Sequence, residues 1–127
     1  MANPRTKARL EARIQERVAT LLEFELNDPR AGFITVTGVT LTEDLSIATI
    51  LYSVFGTDAD RSKVQHMLED ATGFVRSKVG RVLRVRRIPV IKWRYDDTVE
   101  LQDRMERTIR EAMDRDREIN PDAHEER

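Results

Sequence analysis

The chain contains no cysteine, two histidines and five glycines in 127 residues. Each shortage removes a class of chemistry. Without cysteine there are no disulfides, thiol nucleophiles, iron–sulfur clusters or thiolate zinc sites. His66 and His124 lie far apart in sequence, which excludes a histidine-rich metal site. Gly32, Gly38, Gly56, Gly73 and Gly80 spell neither a phosphate-binding P-loop nor a dinucleotide fingerprint. No apolar run approaches ~18 residues and no charged-then-apolar leader opens the chain, so neither a membrane span nor a secretory signal is expected. The expectation is a small, soluble, cytoplasmic protein with few tools for catalysis and with no cofactor or metal.

Charge is what the chain has in quantity. Charged residues make up 35% of it, above the usual quarter, yet the net charge is only -1. The balance conceals a segregation. Residues 1–70 carry 8 basic and 11 acidic groups, residues 71–95 carry 8 basic and none acidic, and residues 96–127 carry 6 basic and 12 acidic. A basic block inside a near-neutral chain makes a local field that the average hides, and an anionic partner is expected there.

Apolar periodicity places the elements. Asn3-Pro4 has the form of a helix cap followed by a first-turn proline, and Leu10, Ile14, Val18, Leu21, Leu22 and Leu26 then recur at helical spacing as far as Asp28-Pro29. The β-branched run from Phe33 to Leu41 switches the parity of its apolar positions at Gly38, which predicts a β-bulge that restores one buried face. Ser46–Val54 is the return strand of an antiparallel hairpin, with Ala48, Ile50, Tyr52 and Val54 toward the core. Val64, Met67, Leu68 and Ala71 form the stripe of a helix that Val75, Val79, Val82 and Leu83 continue. Thr72-Gly73 interrupts it, predicting helix–kink–helix. A third strand covers Ile88–Tyr95, alternating Ile91, Trp93 and Tyr95 with Lys92 and Arg94. Asp97 and Glu100 have capping-box form ahead of a last helix striped by Leu101, Met105, Ile109 and Ala112. The expected division is a folded domain over 1–114 and a charged, disordered tail over 115–127. The order α-β-β-α-kink-α-β-α implies an α+β layer structure with helices packed on one face of a three-stranded sheet, its other face either exposed or covered by the last helix.

The candidate site is the acid-free block. On a helical wheel Ser77, Arg81 and Arg84 oppose the apolar stripe, with Arg76 and Lys78 on the flanks. Arg86, Arg87, Lys92 and Arg94 carry the charge onward into the third strand. Twenty-five residues without an acid, between acid-rich flanks, point to binding of nucleic acid or another polyanion. A helix starting near Gly73 would offer free N–H groups to phosphate, and the small Ala71 and Gly73 would let a sugar–phosphate strand approach closely. The alternation of Trp93 and Tyr95 with cations favours core packing over base stacking. Glu69-Asp70 and Asp96-Asp97 are explained by caps and helix ends without invoking acid–base catalysis.

Four segments in this order resemble the bacterial ribosome-binding factor A family: Asn27-Asp28-Pro29-Arg30 with Gly32; Val39 through Asp44-Leu45; Ala71-Thr72-Gly73-Phe74-Val75-Arg76; and Ile88-Pro89 through Tyr95-Asp96. The likeness covers roughly residues 4 to 114, and Ile119-Asn120-Pro121-Asp122 also fits the tail of many members. It implies a type II KH-like fold whose phosphate-clamping loop is replaced by an interhelical kink, here Ala71-Thr72-Gly73. It further implies a non-enzymatic, cold-associated assembly factor that binds the small (30S) ribosomal subunit and the 16S rRNA precursor, assists late rRNA processing, and is a monomer. The expected RNA-binding residues are Ala71, Thr72, Gly73, Arg76, Lys78, Arg81, Arg84, Arg86, Arg87, Lys92 and Arg94. Two other readings stay open: a generic single-stranded RNA- or DNA-binding KH module, and a protein–protein adaptor with a basic face.

Overall fold

A computed structural model describes residues 3–119 and divides the chain into two compact units, Met1–Asp96 and Asp97–Arg127. In the first unit the order is α1 (Pro4–Thr20), β1 (Ile34–Leu41), β2 (Ile47–Val54), α2 (Asp58–Leu83) and β3 (Val90–Tyr95). The second unit holds α3 (Thr98–Ile119).

Asn3 caps α1 as its sequence predicts, its side chain accepting from the Arg5 N–H at 2.8 Å with Pro4 in the first turn. The α-helix stops earlier than the apolar spacing suggests. Beyond Thr20 the chain widens into a π-helical turn over Leu21–Glu25, and a 3-10 turn follows over Pro29–Phe33. The wider turn lets the adjacent Leu21 and Leu22 both enter the core, which a regular helix would set 100° apart. Asp28 caps the 3-10 turn through the Arg30 N–H and also holds the Arg30 guanidinium (2.7 Å).

The sheet order is β1-β2-β3, with β1 antiparallel and β3 parallel to β2. The predicted bulge is present. The register moves from Val36↔Tyr52 to Gly38↔Leu51, after which Val39 faces Ile50 and Leu41 faces Ala48. One extra residue has put both apolar parities on the helix side of the sheet. The turn between β1 and β2 is knotted by Asp44, which accepts from the Ser46 N–H and from the Thr42 and Ser46 hydroxyls. These bonds bring its carboxyl down to about 2.

α1 and α2 cover one face of the sheet. Ile14, Val18, Leu21, Leu41, Ala48, Ile50, Val64, Met67, Leu68, Val75 and Val79 form the buried centre, with Ile91 at its edge. Glu11 of α1 accepts the Leu41 backbone N–H at 2.8 Å and so ties that helix to the end of β1. Gly80 is where α2 meets the connection to β3. A Cβ there would stand 2.5 Å from Ile88 Cδ1, so a larger residue must push that side chain aside.

The kink is not a break. α2 is helical without interruption from Asp58 to Leu83, so three α-helices are present among the described residues where the sequence predicts four. Gly73 costs about 1 kcal/mol relative to alanine, less than the burial of Ala71, Val75 and Val79 on the neighbouring turns returns. Thr57 and Asp60 start the helix as a reciprocal capping box.

In the second unit, α3 extends through residues 115–119, which sequence composition assigns to the tail. Residues 120–127 lie outside the described part. Leu101, Met105, Ile109 and Met113 align on α3, and each is 47–64% exposed. The i,i+4 pair Asp103–Arg107 is formed at 3.5 Å.

Candidate nucleic-acid interface

The three residues expected to form a phosphate-facing kink point in three directions. Ala71 is buried against the core, one turn before Val75 on the same stripe, and offers nothing to a ligand. Thr72 lies between α2 and β3. Its hydroxyl donates to the Leu68 carbonyl at 2.7 Å and accepts from Trp93 Nε1 at 2.9 Å. A threonine bonded to the carbonyl one turn back is a known source of helix bending, but it leaves no terminus. The N–H groups around Gly73 therefore belong to the helix interior, and the predicted helix start with its free donors is absent. Gly73 alone faces outward, and a Cβ there would meet nothing within 4 Å. No internal contact demands this glycine.

The cations divide between two layers. Gly73, Ser77 and Arg81 run along the exposed face of α2 at four-residue spacing. Arg76 is exposed but committed to the fold, its Nε and Nη2 donating to the carbonyls of Pro89 (3.2 Å) and Ile88 (3.0 Å) and so anchoring the lead-in to β3. Lys78 is half-buried, with Nζ 5.5 Å from the centre of the Phe74 ring. Its charge also joins that of Arg17 in lowering the Glu25 carboxyl, for which the Arg17 hydrogen bond is the main cause. Arg84 is not on the helix face. It is the C-terminal cap, in the left-handed region at φ 50°, where the chain turns out of α2. Arg86 and Arg87 are exposed on that turn.

Lys92 and Arg94 belong to the other layer. They stand on β3 opposite Thr49 and Leu51 of β2, on the sheet face away from α1 and α2. Trp93 and Tyr95 point toward the helix side and pack edge-to-face on Tyr52, with ring centroids 6.5 and 5.7 Å apart. They are core residues, as their alternation with Lys92 and Arg94 favours. The charge thus forms a band that passes from the exposed side of α2, over the connecting turn, to the outer face of the sheet.

Sequence reasoning missed two groups. The Arg61 guanidinium lies 3.5 Å from the Tyr95 ring centre and covers it. Phe33 and Phe55 are 56% and 84% exposed, where aromatic residues are ordinarily buried. Their odd parity, shared with the outward positions of the hairpin, was the available signal. Among the described residues, no group of three or more acidic or histidine side chains is placed to hold a metal ion. No helix there is long and apolar enough to cross a membrane. A hollow of about 770 Å³ between the end of α1 and β1 is lined by Glu23 and Asp28. Its charge is the wrong sign for a polyanion.

Helices on one face of a mixed three-stranded sheet, with the distinctive charge on open surfaces, define a small α+β protein whose candidate site is a surface and not a cleft. Known proteins share this fold. A family model described as ribosome-binding factor A matches residues 6–109. Ribosome-binding factor A of Leifsonia xyli is 40% identical over 119 residues, spanning 94% of this chain and 84% of that protein. The Thioalkalivibrio sulfidiphilus protein is 36% identical over 127 residues, spanning 98% of each. The crystal structure of ribosome-binding factor A from Thermus thermophilus superposes with a TM-score of 0.62 at 27% identity, over 70% of this chain and 94% of that one. A homology model of the Thermus thermophilus factor, as fitted into the cryo-EM map of its 30S complex, gives 0.60 at 26% identity, over 72% and 96%. The chain belongs to the ribosome-binding factor A family.

Proposed function

We propose that this chain is a non-enzymatic, cytoplasmic assembly factor that binds the small ribosomal subunit through rRNA and assists late maturation and processing of the 16S rRNA precursor. It acts as a monomer, and its need is greatest in the cold, where misfolded RNA helices rearrange slowly. The observation that carries this reading is the stretch from Ala71 to Tyr95, which has eight basic residues and no acid. Arg76, Arg81, Arg84, Arg86, Arg87, Lys92 and Arg94 are all exposed there. Such a band meets phosphates without a pocket, and its contacts release counterions, so attachment is firm at low salt and reversible as salt rises. The factor would hold an immature rRNA conformation by these contacts and then leave intact. The fitted 30S complex of the Thermus thermophilus relative supports the choice of partner.

Sedimentation of a lysate through a sucrose gradient tests the reading. The expected result is co-migration with free small subunits and absence from translating ribosomes. Migration at the top of the gradient under low salt would overturn it.

A further inference from the structure

The hairpin of β1 and β2 ends in two phenylalanines that nothing in the core uses. The Phe55 N–H donates to the Phe33 carbonyl at 3.0 Å, continuing the ladder one step past Ile34↔Val54. Strand parity sets this pair on the outer face of the sheet, in line with Thr35 and Ser53 and opposite in sense to the buried Ile50 and Tyr52. Residues facing each other across antiparallel strands hold their Cβ atoms about 5 Å apart, so the two positions are adjacent at the end of the hairpin.

Along the same face lie Thr40 and Thr49, then Lys92 and Arg94 of β3. Arg94 is level with Leu51, four residues from Phe55, or about 13 Å at ~3.3 Å per residue. Lys92 is level with Thr49, about 20 Å from Phe55 on the same rise. One carboxylate, Asp96, closes these rows among the described residues, and its Oδ2 is engaged by the Thr37 hydroxyl at 2.8 Å.

We propose that this outer sheet face is a second RNA-binding surface, on which Phe33 and Phe55 stack the bases of a single-stranded segment whose phosphates meet Arg94 and Lys92. The proposal rests on the rRNA-binding reading above and extends it to unpaired nucleotides. Exposed rings fit base faces of any identity, and cations spaced along one direction track a backbone, the pairing used by single-strand platforms. Leu51 and Ile47 of β2 share this face farther along, but the row between them and the rings is Thr35 and Ser53, which offers hydroxyls. The cations of the face are Lys92 and Arg94, the sign that a polyanion and not an apolar partner selects. The span from the rings to Lys92 suits a few nucleotides, near the lower end of the ~4–16 covered by a single sheet-based module.

The test uses the full chain, a fluorescent ten-nucleotide uridine RNA and purified small subunits. Wild-type sedimentation is read first, because its absence is the failure of the parent reading. With wild type bound, Phe33→Leu with Phe55→Leu is expected to weaken uridine binding about tenfold or more per ring, within the range of base–aromatic stacking. Phe55→Trp, with Phe33 kept, should retain or tighten it. Both positions are exposed, so the thermal midpoint should stay within the scatter of wild type. Wild-type failure to bind the uridine RNA would overturn the proposal, as would unchanged binding by the leucine variant. Loss in the Phe55→Trp variant would do the same, because apolar contact and not stacking would then be at work. Leucine substitutions that abolish sedimentation but leave uridine binding intact would assign the rings to a protein of the subunit and overturn it too.

Discussion

α2 and α3 are both long, charged helices with an apolar stripe, and they put those stripes to different use. On α2, Val75 and Val79 are fully buried, whereas on α3 Leu101, Met105, Ile109 and Met113 remain about half exposed. Their charges differ in order more than in amount. The second half of α2 carries Arg76, Lys78 and Arg81 and no acid, while α3 intersperses Asp103, Glu106 and Glu111 among Arg104, Arg107 and Arg110. A helix with alternating signs satisfies its own charges, as Arg107 does with Asp103. A helix with one sign leaves a field for something else to satisfy. Periodicity identifies a helix, and the order of its charges says whether its open face has work outside the chain.

A carboxylate placed in each stripe separates the two helices most strongly. Val79→Asp buries an unpaired charge, and a loss of more than about 4 kcal/mol is expected, enough to abolish a cooperative melt. Ile109→Asp should leave the melt within about 0.5 kcal/mol of wild type. A collapse of the Ile109→Asp protein would show that the α3 stripe is covered.

Charge reversal probes the other half of the contrast. On the proposed interface, Arg81→Glu with Arg84→Glu would remove two phosphate contacts and add repulsion. Affinity for small subunits should fall by at least tenfold, and the log–log salt slope should become shallower by about 0.7 per contact. Arg107→Glu with Arg110→Glu changes the net charge equally and should leave binding nearly intact. Equal losses from both pairs would reduce the interface to net charge alone.

Two glycines of α2 divide packing from function. Gly80→Ala forces a methyl into Ile88 and should cost about 1–3 kcal/mol by thermal or denaturant melting. Gly73→Ala enters open space and should stabilise the fold by about 0.5–1 kcal/mol. Weaker subunit binding by this more stable variant would show that RNA approaches the backbone there.

The smallest effect belongs to α3. Arg107→Ala should cost no more than about 0.3–0.5 kcal/mol, the value of an exposed i,i+4 pair. A loss several times larger would mean that α3 depends on its charges as α2 depends on its stripe.

Local signals account for most of what could be read without coordinates. Asn3-Pro4, the parity switch at Gly38 and the alternation through Trp93 each concern neighbours within a few residues, and each appears in the structure as expected. What could not be read depends on distant partners. The parallel pairing of β3 with β2 is set across the whole of α2, which no local pattern encodes. Thr72 and Arg76 look available on a helical wheel, yet Trp93 Nε1 engages the first and the carbonyls of Ile88 and Pro89 engage the second. Propensity alone makes Gly73 a break, because it takes no account of the burial on either side. A stripe such as that of α3 reveals its period but not its partner.

The parallel register has a consequence for the order in which the chain matures. β1 and β2 are adjacent in sequence, so their hairpin closes over a short loop, a microsecond event. Val90 must find Ile47 across about 40 intervening residues, and that search is worthwhile only after α2 has formed and docked. β3, with Lys92 and Arg94, therefore joins late, and the preceding turn with Arg86 and Arg87 takes its final path at the same step. During synthesis the hairpin and its two phenylalanines leave the ribosome well before the third strand does. A nascent chain would then carry the rings without the neighbouring cations, and the complete face would exist only on a finished molecule.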